Sequence, residues 1–118
     1  MNIDAATSAL AALSQPTRLK TFRLLVRHEP DGLPAGEIAR QLDVPQNTMS
    51  AHLAVLTRAG LAASERQSRV IIYRADLNGL RVLMLYLLKD CCGGSAALCA
   101  PLIADLVAPC CPTEGVRA

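Results

Sequence analysis

Two helical patterns separated by a three-residue break, Asp43-Val44-Pro45, most constrain what this chain can fold into. Before the break, Pro34 to Leu42 reads as a short helix with Ile38, Ala39 and Leu42 facing inward. After it, Met49, His52, Leu53 and Leu56 recur at i, i+3, i+4 and i+7 until Gly60 supplies a stop, which predicts a helix from about Pro45 to Ala59. Neither helix can bury its apolar stripe alone, so each must pack on a shared core. The second helix opens with Gln46, Asn47, Thr48 and Ser50, short hydrogen-bonding side chains in place of a hydrophobic or acidic start. Gln and Asn can address adenine bidentately and hydroxyls are more permissive, so this is the kind of surface a base-reading helix requires. The same residue types also cap helix N-termini, and both readings are open at this point. His52 lies further into the helix, where a packing role and a nucleic-acid contact are both open.

The segments on either side extend the pattern. Thr7 to Leu13 is a short Ala- and Leu-rich helix candidate. The break Ser14-Gln15-Pro16 starts another, about Pro16 to His28, with Pro near the first helical position where its missing N–H costs nothing. Leu19, Phe22, Leu24, Leu25 and Val26 are its expected buried stripe, and Glu29-Pro30-Asp31-Gly32 is a turn signal. Leu61 to Glu65 and Val70 to Tyr73 read as two strands joined by Arg66-Gln67-Ser68-Arg69, a hairpin with a basic tip. Leu77 to Cys92 then forms a last helix that is apolar almost all round, which points to burial of one side at a subunit interface. Gly93-Gly94 stops it, and another helical turn is expected around Leu102 to Val107. The order α-α-α-α-β-β-α is that of a mainly α (α+β) winged helix-turn-helix domain, spanning residues 1–92 and followed by a Cys-rich tail over 93–118. In this fold the second helix of the motif enters the major groove of double-stranded DNA and the hairpin tip reaches the neighbouring backbone. Arg18, Arg58, Arg66 and Arg69 are the candidates for phosphate neutralisation.

Composition narrows the class further. With 118 residues the chain suits one compact domain, and a multidomain enzyme is excluded. Hydrophobic residues make up 52% but aromatics only 3%, so the core must be built from Leu, Ala, Val and Ile, a helix-favouring mixture. Uncharged stretches such as Val44 to Thr57 fall short of the roughly 18 to 20 apolar residues that cross a bilayer. The N-terminus has Asp4 where a secretory signal would carry Lys or Arg, so a cytoplasmic location with no membrane partner is expected. Between Ser14 and Arg81, ten Lys or Arg stand against six Asp or Glu, an excess that fits a nucleic-acid face as well as an ordinary solvated surface.

Several segments together resemble the ArsR/SmtB family of metalloregulatory repressors. Leu13-Ser14-Gln15-Pro16-Thr17-Arg18-Leu19 is similar to an early L-x-x-P-T-R-L segment of the family. Val44 to Leu56 is similar to its S-x-x-S-x-H-L-x-x-L recognition helix, Arg58-Ala59-Gly60-Leu61 to its R-x-A-G-L junction, and Arg66 to Arg74 to a wing ending in Tyr-Arg. The resemblance covers roughly residues 5 to 92. It implies a homodimer built through the first and last helices, repressing a promoter at an imperfect inverted repeat until an inducer binds.

Inducer sites differ within that family, so each must be matched residue by residue. A C-x-C on the helix before the recognition helix is absent, since Ile38-Ala39-Arg40-Gln41 stands there, and Leu77 to Lys89 lacks the His ligands of a zinc site on the last helix. The five cysteines all fall in the last third, at Cys91, Cys92, Cys99, Cys110 and Cys111. Clustered thiols in a chain without an export signal read as metal-binding or redox groups and not as disulfide staples. Three thiolates without an oxygen or imidazole partner suit a thiophilic ion. Some arsenic-responsive family members carry a Cys-Cys pair with a nearby third Cys after this helix, so the resemblance implies As(III) or Sb(III) at Cys91, Cys92 and Cys99, with Cys110 and Cys111 as secondary candidates. Cadmium or lead, methylated arsenicals and thiol oxidation are the other inducers these thiols suit. A small thiol enzyme or metal-sequestering protein fits poorly, because no Cys-x-x-Cys follows a βαβ pattern and no His or acidic pair adjoins the Cys-Cys sequence.

Overall fold

The computed structural model describes residues 1–88 and Pro101. The chain divides into two units, Met1–Tyr86 and Leu87–Ala118. The elements, in order, are α1 (Ile3–Leu13), α2 (Pro16–Arg27), β1 (Leu33–Pro34), α3 (Ala35–Leu42), α4 (Gln46–Arg58), β2 (Ala62–Gln67), β3 (Val70–Ala75) and α5 (Leu77–Leu88). The strands form one antiparallel sheet in the order β1-β3-β2, giving a mainly helical winged helix-turn-helix fold. The five cysteines, the Gly93-Gly94 stop and the turn expected around 102–107 lie outside the described residues.

Helix α1 begins four residues earlier than expected, at Ile3 and not Thr7, because the Asn2 side chain caps it by accepting the Ala5 N–H at 2.8 Å. Ala6, Ala9 and Ala12 are its buried face, and these small side chains let the backbone of α1 lie close against α2 and α4. Helix α2 starts at Pro16 as expected, with Gln15 capping it through the Arg18 N–H at 2.8 Å. Its buried side is Thr21, Phe22, Leu24 and Leu25. Leu19 and Val26, expected in that stripe, are exposed: seven residues apart, they lie on one side of the helix, turned away from Leu25. The buried Thr21 hydroxyl donates to the Thr17 carbonyl at 2.8 Å, satisfying a polar group that would otherwise be costly to bury.

Strand β1 was not expected, and Pro34 belongs to it instead of to the following helix. Leu33 and Pro34 pair with Tyr73 and Ile72. The loop before it is pressed onto β3, since a Cβ at Gly32 (φ +76°) would fall 2.5 Å from the Tyr73 carbonyl oxygen. Arg74 of β3 clasps Glu29 of the same loop with both nitrogens, Nε at 3.1 Å and Nη2 at 3.3 Å. The β2–β3 hairpin is longer than expected. Arg66 and Gln67 lie in the strand, paired with Ile71 and Val70, and only Ser68-Arg69 form the tip.

Helix α5 starts at Leu77, with the Asp76 carboxylate accepting the Gly79 N–H at 3.0 Å. A Cβ at Gly79 would lie 1.8 Å from the Gly60 carbonyl oxygen, so the first turn of α5 sits directly on the turn that ends α4. Leu83 is buried while Leu77, Leu85 and Leu87 are exposed, and α1 exposes Ile3 and Leu10. No helix among the described residues is long and apolar enough to cross a membrane.

Candidate nucleic-acid interface

The helix-turn-helix is held by its turn. Asp43 takes a left-handed conformation (φ 55°), and its N–H and that of Val44 return to carbonyls of the last turn of α3, Val44 to Ala39 at 3.0 Å. This stops α3 and directs the chain through Pro45 into α4. On α3, Ile38 and Ala39 are buried; on α4, Met49, Leu53 and Leu56 are buried at i, i+4 and i+7. Full burial of each large apolar side chain contributes about 1.5–3 kcal/mol, so α4 is anchored along its length.

That anchoring decides what α4 presents. Gln46, Asn47, Thr48 and Ser50 are all exposed, arranged round the buried Met49. Pro45 occupies the N-cap position without a side-chain hydrogen bond, so none of the four is the cap. Among the described residues Asn47 accepts only from the adjacent Thr48 N–H, at 2.9 Å, and the Gln46 amide lies over the first turn of α3, where a Cβ at Gly36 would be 3.6 Å from it. At 100° per residue, Asn47, Ala51 and Arg58 form the stripe opposite the buried one. Ala51 was not singled out from sequence. Its exposed methyl group leaves the stripe shallow enough to approach a groove floor, and a lone Ala in a helical pattern gives no local signal of this.

Arg18 and His52 are placed differently. Arg18 Nε donates to the Ala12 carbonyl at 2.8 Å, and Nη1 lies 3.5 Å from His52 Nδ1. Both residues are half-buried, and together they tie the end of α1 and the start of α2 to the middle of α4. Arg58 is exposed at the far end of α4. Arg66 and Arg69 are exposed on the wing, beyond which only Ala62 and Ala75 of β2 and β3 are buried. Ser68 at the tip has a positive φ of 60°, the position where a tight hairpin favours Gly.

On α3, Glu37 accepts from Arg40 Nε at 3.0 Å, from Arg40 Nη2, and from Gln41 Nε2 at 2.8 Å. These hydrogen bonds, with Arg40 first, hold its carboxyl down to about 2. Among the described residues Arg40 is thereby paired, whereas the Arg66 and Arg69 side chains have no ion-pair partner. Among the described residues no group of His, Cys, Asp or Glu is arranged to hold a metal ion.

Comparison with known proteins matches this geometry. A helix-turn-helix domain family matches residues 13–65, which include α2, α3, α4 and the start of the wing. The HTH-type transcriptional repressor SmtB of Mycobacterium tuberculosis is 33% identical over 72 residues, covering 61% of this chain and 51% of that one. The chain thus spans about half the length of this curated relative. An ArsR-like transcriptional regulator from Rhodococcus sp. RHA1 superposes with a TM-score of 0.65 at 27% identity, over 88% of this chain and 93% of that one. A possible transcriptional regulator for arsenical resistance gives a TM-score of 0.58 at 29% identity, over 83% and 95%. With the motif and the wing in agreement with these relatives, the chain has a winged helix-turn-helix fold and is similar to transcriptional regulators of the ArsR/SmtB type.

Proposed function

We propose that the protein is a homodimeric repressor that binds operator DNA and releases it when trivalent arsenic or antimony is held by Cys91, Cys92 and Cys99. The observation that carries the DNA-binding reading is the exposed set Gln46, Asn47, Thr48 and Ser50 on a helix whose opposite face is fixed in the core. Asn47 and Ser50 address base edges, Gln46 and Thr48 address edges or phosphates, and Arg66 and Arg69 neutralise the flanking backbone. Two such helices, one from each protomer, occupy successive major grooves about 34 Å apart. The exposed Ile3 and Leu10 of α1 and Leu77, Leu85 and Leu87 of α5 supply apolar surface for the dimer contact.

The inducer reading rests on the donor set. Three thiolates offer no hard oxygen and no imidazole, which suits three-coordinate As(III) or Sb(III). The likeness to a possible regulator for arsenical resistance supports the same reading. The close seat of Gly79 on Gly60 supplies a route from α5 to α4, because a change in the direction of α5 bears on the turn that ends α4. Coupling of this kind is typically about 1–3 kcal/mol, and by linkage DNA weakens inducer binding by the same factor. The test is a Cys91→Ser, Cys92→Ser double variant. It is expected to bind operator like the unaltered protein and to ignore arsenite; an unchanged arsenite response would overturn the site assignment.

A further inference from the structure

One wall of a groove of about 300 Å³ is formed by the end of α4, on the side away from Gln46. Ser8, Ala11 and Ala12 of α1 face Val55 and Arg58 of α4 across it, and Arg18 of α2 closes one end. Two arginines therefore line one small space, and no carboxylate lines it. Like charges brought together without a counter-ion repel, and an anion between them removes that repulsion. Among the described residues the Arg58 side chain makes no hydrogen bond or ion pair. Arg18 is held in place through Nε on the Ala12 carbonyl and Nη1 beside His52, which leaves Nη2 with donors to spare.

The small side chains of Ala11 and Ala12 keep the space open. Ser8 and Leu10 are two residues apart on α1, about 200° round the helix, so the groove lies on the opposite flank from the exposed apolar side chain offered to a dimer. A planar guanidinium fixed in this way is suited to binding an oxyanion through paired N–H donors.

We propose that this groove is an oxyanion site that takes a phosphate group between Arg18 and Arg58, with the Ser8 hydroxyl as a further donor. The phosphate comes either from the DNA backbone or from a free phosphate-bearing molecule. In both cases the occupant bridges α1 to the recognition helix. The free-phosphate arm of the test does not depend on the DNA-binding reading, so failure of one is distinguishable from failure of the other.

The experiment follows the arginine Nε–Hε signals of the full ¹⁵N-labelled chain by NMR during titration with sodium phosphate, against sodium chloride at matched ionic strength. The signals of Arg18 and Arg58 are expected to move together and saturate with phosphate alone. Arg58→Gln removes a charge-assisted partner and Ala11→Glu places a carboxylate in the groove, and each is expected to weaken the response about tenfold or more. Lys20→Gln, an exposed charge on α2 outside the groove, leaves it unchanged. Addition of a DNA duplex separates the sources. If a backbone phosphate fills the groove, duplex reproduces the shift and Arg58→Gln lowers the salt slope of DNA binding by about 1. If the occupant is a free phosphate, duplex leaves both signals in place. Signals that follow ionic strength alone, the same in phosphate and chloride and indifferent to duplex, would overturn the proposal, as would a phosphate response unchanged in Arg58→Gln.

Discussion

Helix α4 and the β2–β3 wing both carry residues proposed to meet DNA, but the protein holds them in opposite ways. Met49, Leu53 and Leu56 fix α4 from beneath, whereas past Ala62 every residue of β2 is exposed and Val70 and Ile71 of β3 are exposed as well. A reading element needs position to a fraction of an ångström, because a base-edge hydrogen bond is directional. A charge that neutralises phosphate needs only proximity, since Coulomb attraction falls off slowly and without direction. Rigidity is therefore concentrated in the element proposed to distinguish sequences, and the wing carries charge.

The largest effects should separate the two elements by stability. Leu53→Ala removes a fully buried side chain and is expected to cost about 2–5 kcal/mol in urea unfolding. Val70→Ala on the wing, at 45% exposure, is expected to cost less than about 1 kcal/mol. Equal costs would mean that the wing is anchored as firmly as α4.

The next test is on DNA. Asn47→Ala and Ser50→Ala should leave folding unchanged and reduce discrimination between operator and altered sites by about 1–3 kcal/mol each. Arg66→Gln and Arg69→Gln should instead weaken binding to every sequence and lower the salt slope by about 1 each. Anisotropy titrations at several salt concentrations measure both quantities. A wing variant that changed sequence preference would erase the division proposed between helix and wing.

Smaller effects sharpen the same contrast. Ser68 is held at positive φ at the wing tip, so Ser68→Gly should stabilise the protein by up to about 1 kcal/mol in thermal or urea unfolding. On the helix-turn-helix side, the Glu37 carboxyl is lowered from about 4.5 to about 2, mainly by the Arg40 hydrogen bond. A lowered carboxyl pKa stabilises the folded state above the unfolded value, and that contribution is lost as pH falls from about 4.5 towards about 2. Carboxyl NMR should find the Glu37 midpoint near pH 2, and Glu37→Gln should remove this component of acid sensitivity. A midpoint near 4.5 would mean that Arg40 is not held on α3.

How legible each element was follows from the kind of interaction that makes it. Helices α3 and α4 and the turn between them were readable because their signals are local: apolar spacing, Pro45 and Gly60. The start of α1 was not, since Ile3 to Ala6 becomes helical through the Asn2 cap with no marked stripe of its own. Strand β1 is two residues that become a strand only by pairing with Tyr73 and Ile72, far along the chain. The wing was read too short because Arg66 and Gln67 are polar and exposed, so burial prints no alternation on them. Among the site residues, the exposed opening of α4 followed from periodicity alone. The brace between Arg18 and His52 did not, because it joins residues 34 apart in sequence and needs the packed helices to exist first.

The central claim is that one chain reads DNA through α4 and answers to a thiophilic ion. The most direct measurement is fluorescence anisotropy of the reduced full chain on DNA from upstream of its own gene, titrated with arsenite and, in parallel, with cadmium and zinc. The account predicts tight binding that is released by near-stoichiometric arsenite and not by zinc. Absence of DNA binding would contradict the reading of α4, and tight binding indifferent to arsenite would contradict the inducer assigned to Cys91, Cys92 and Cys99.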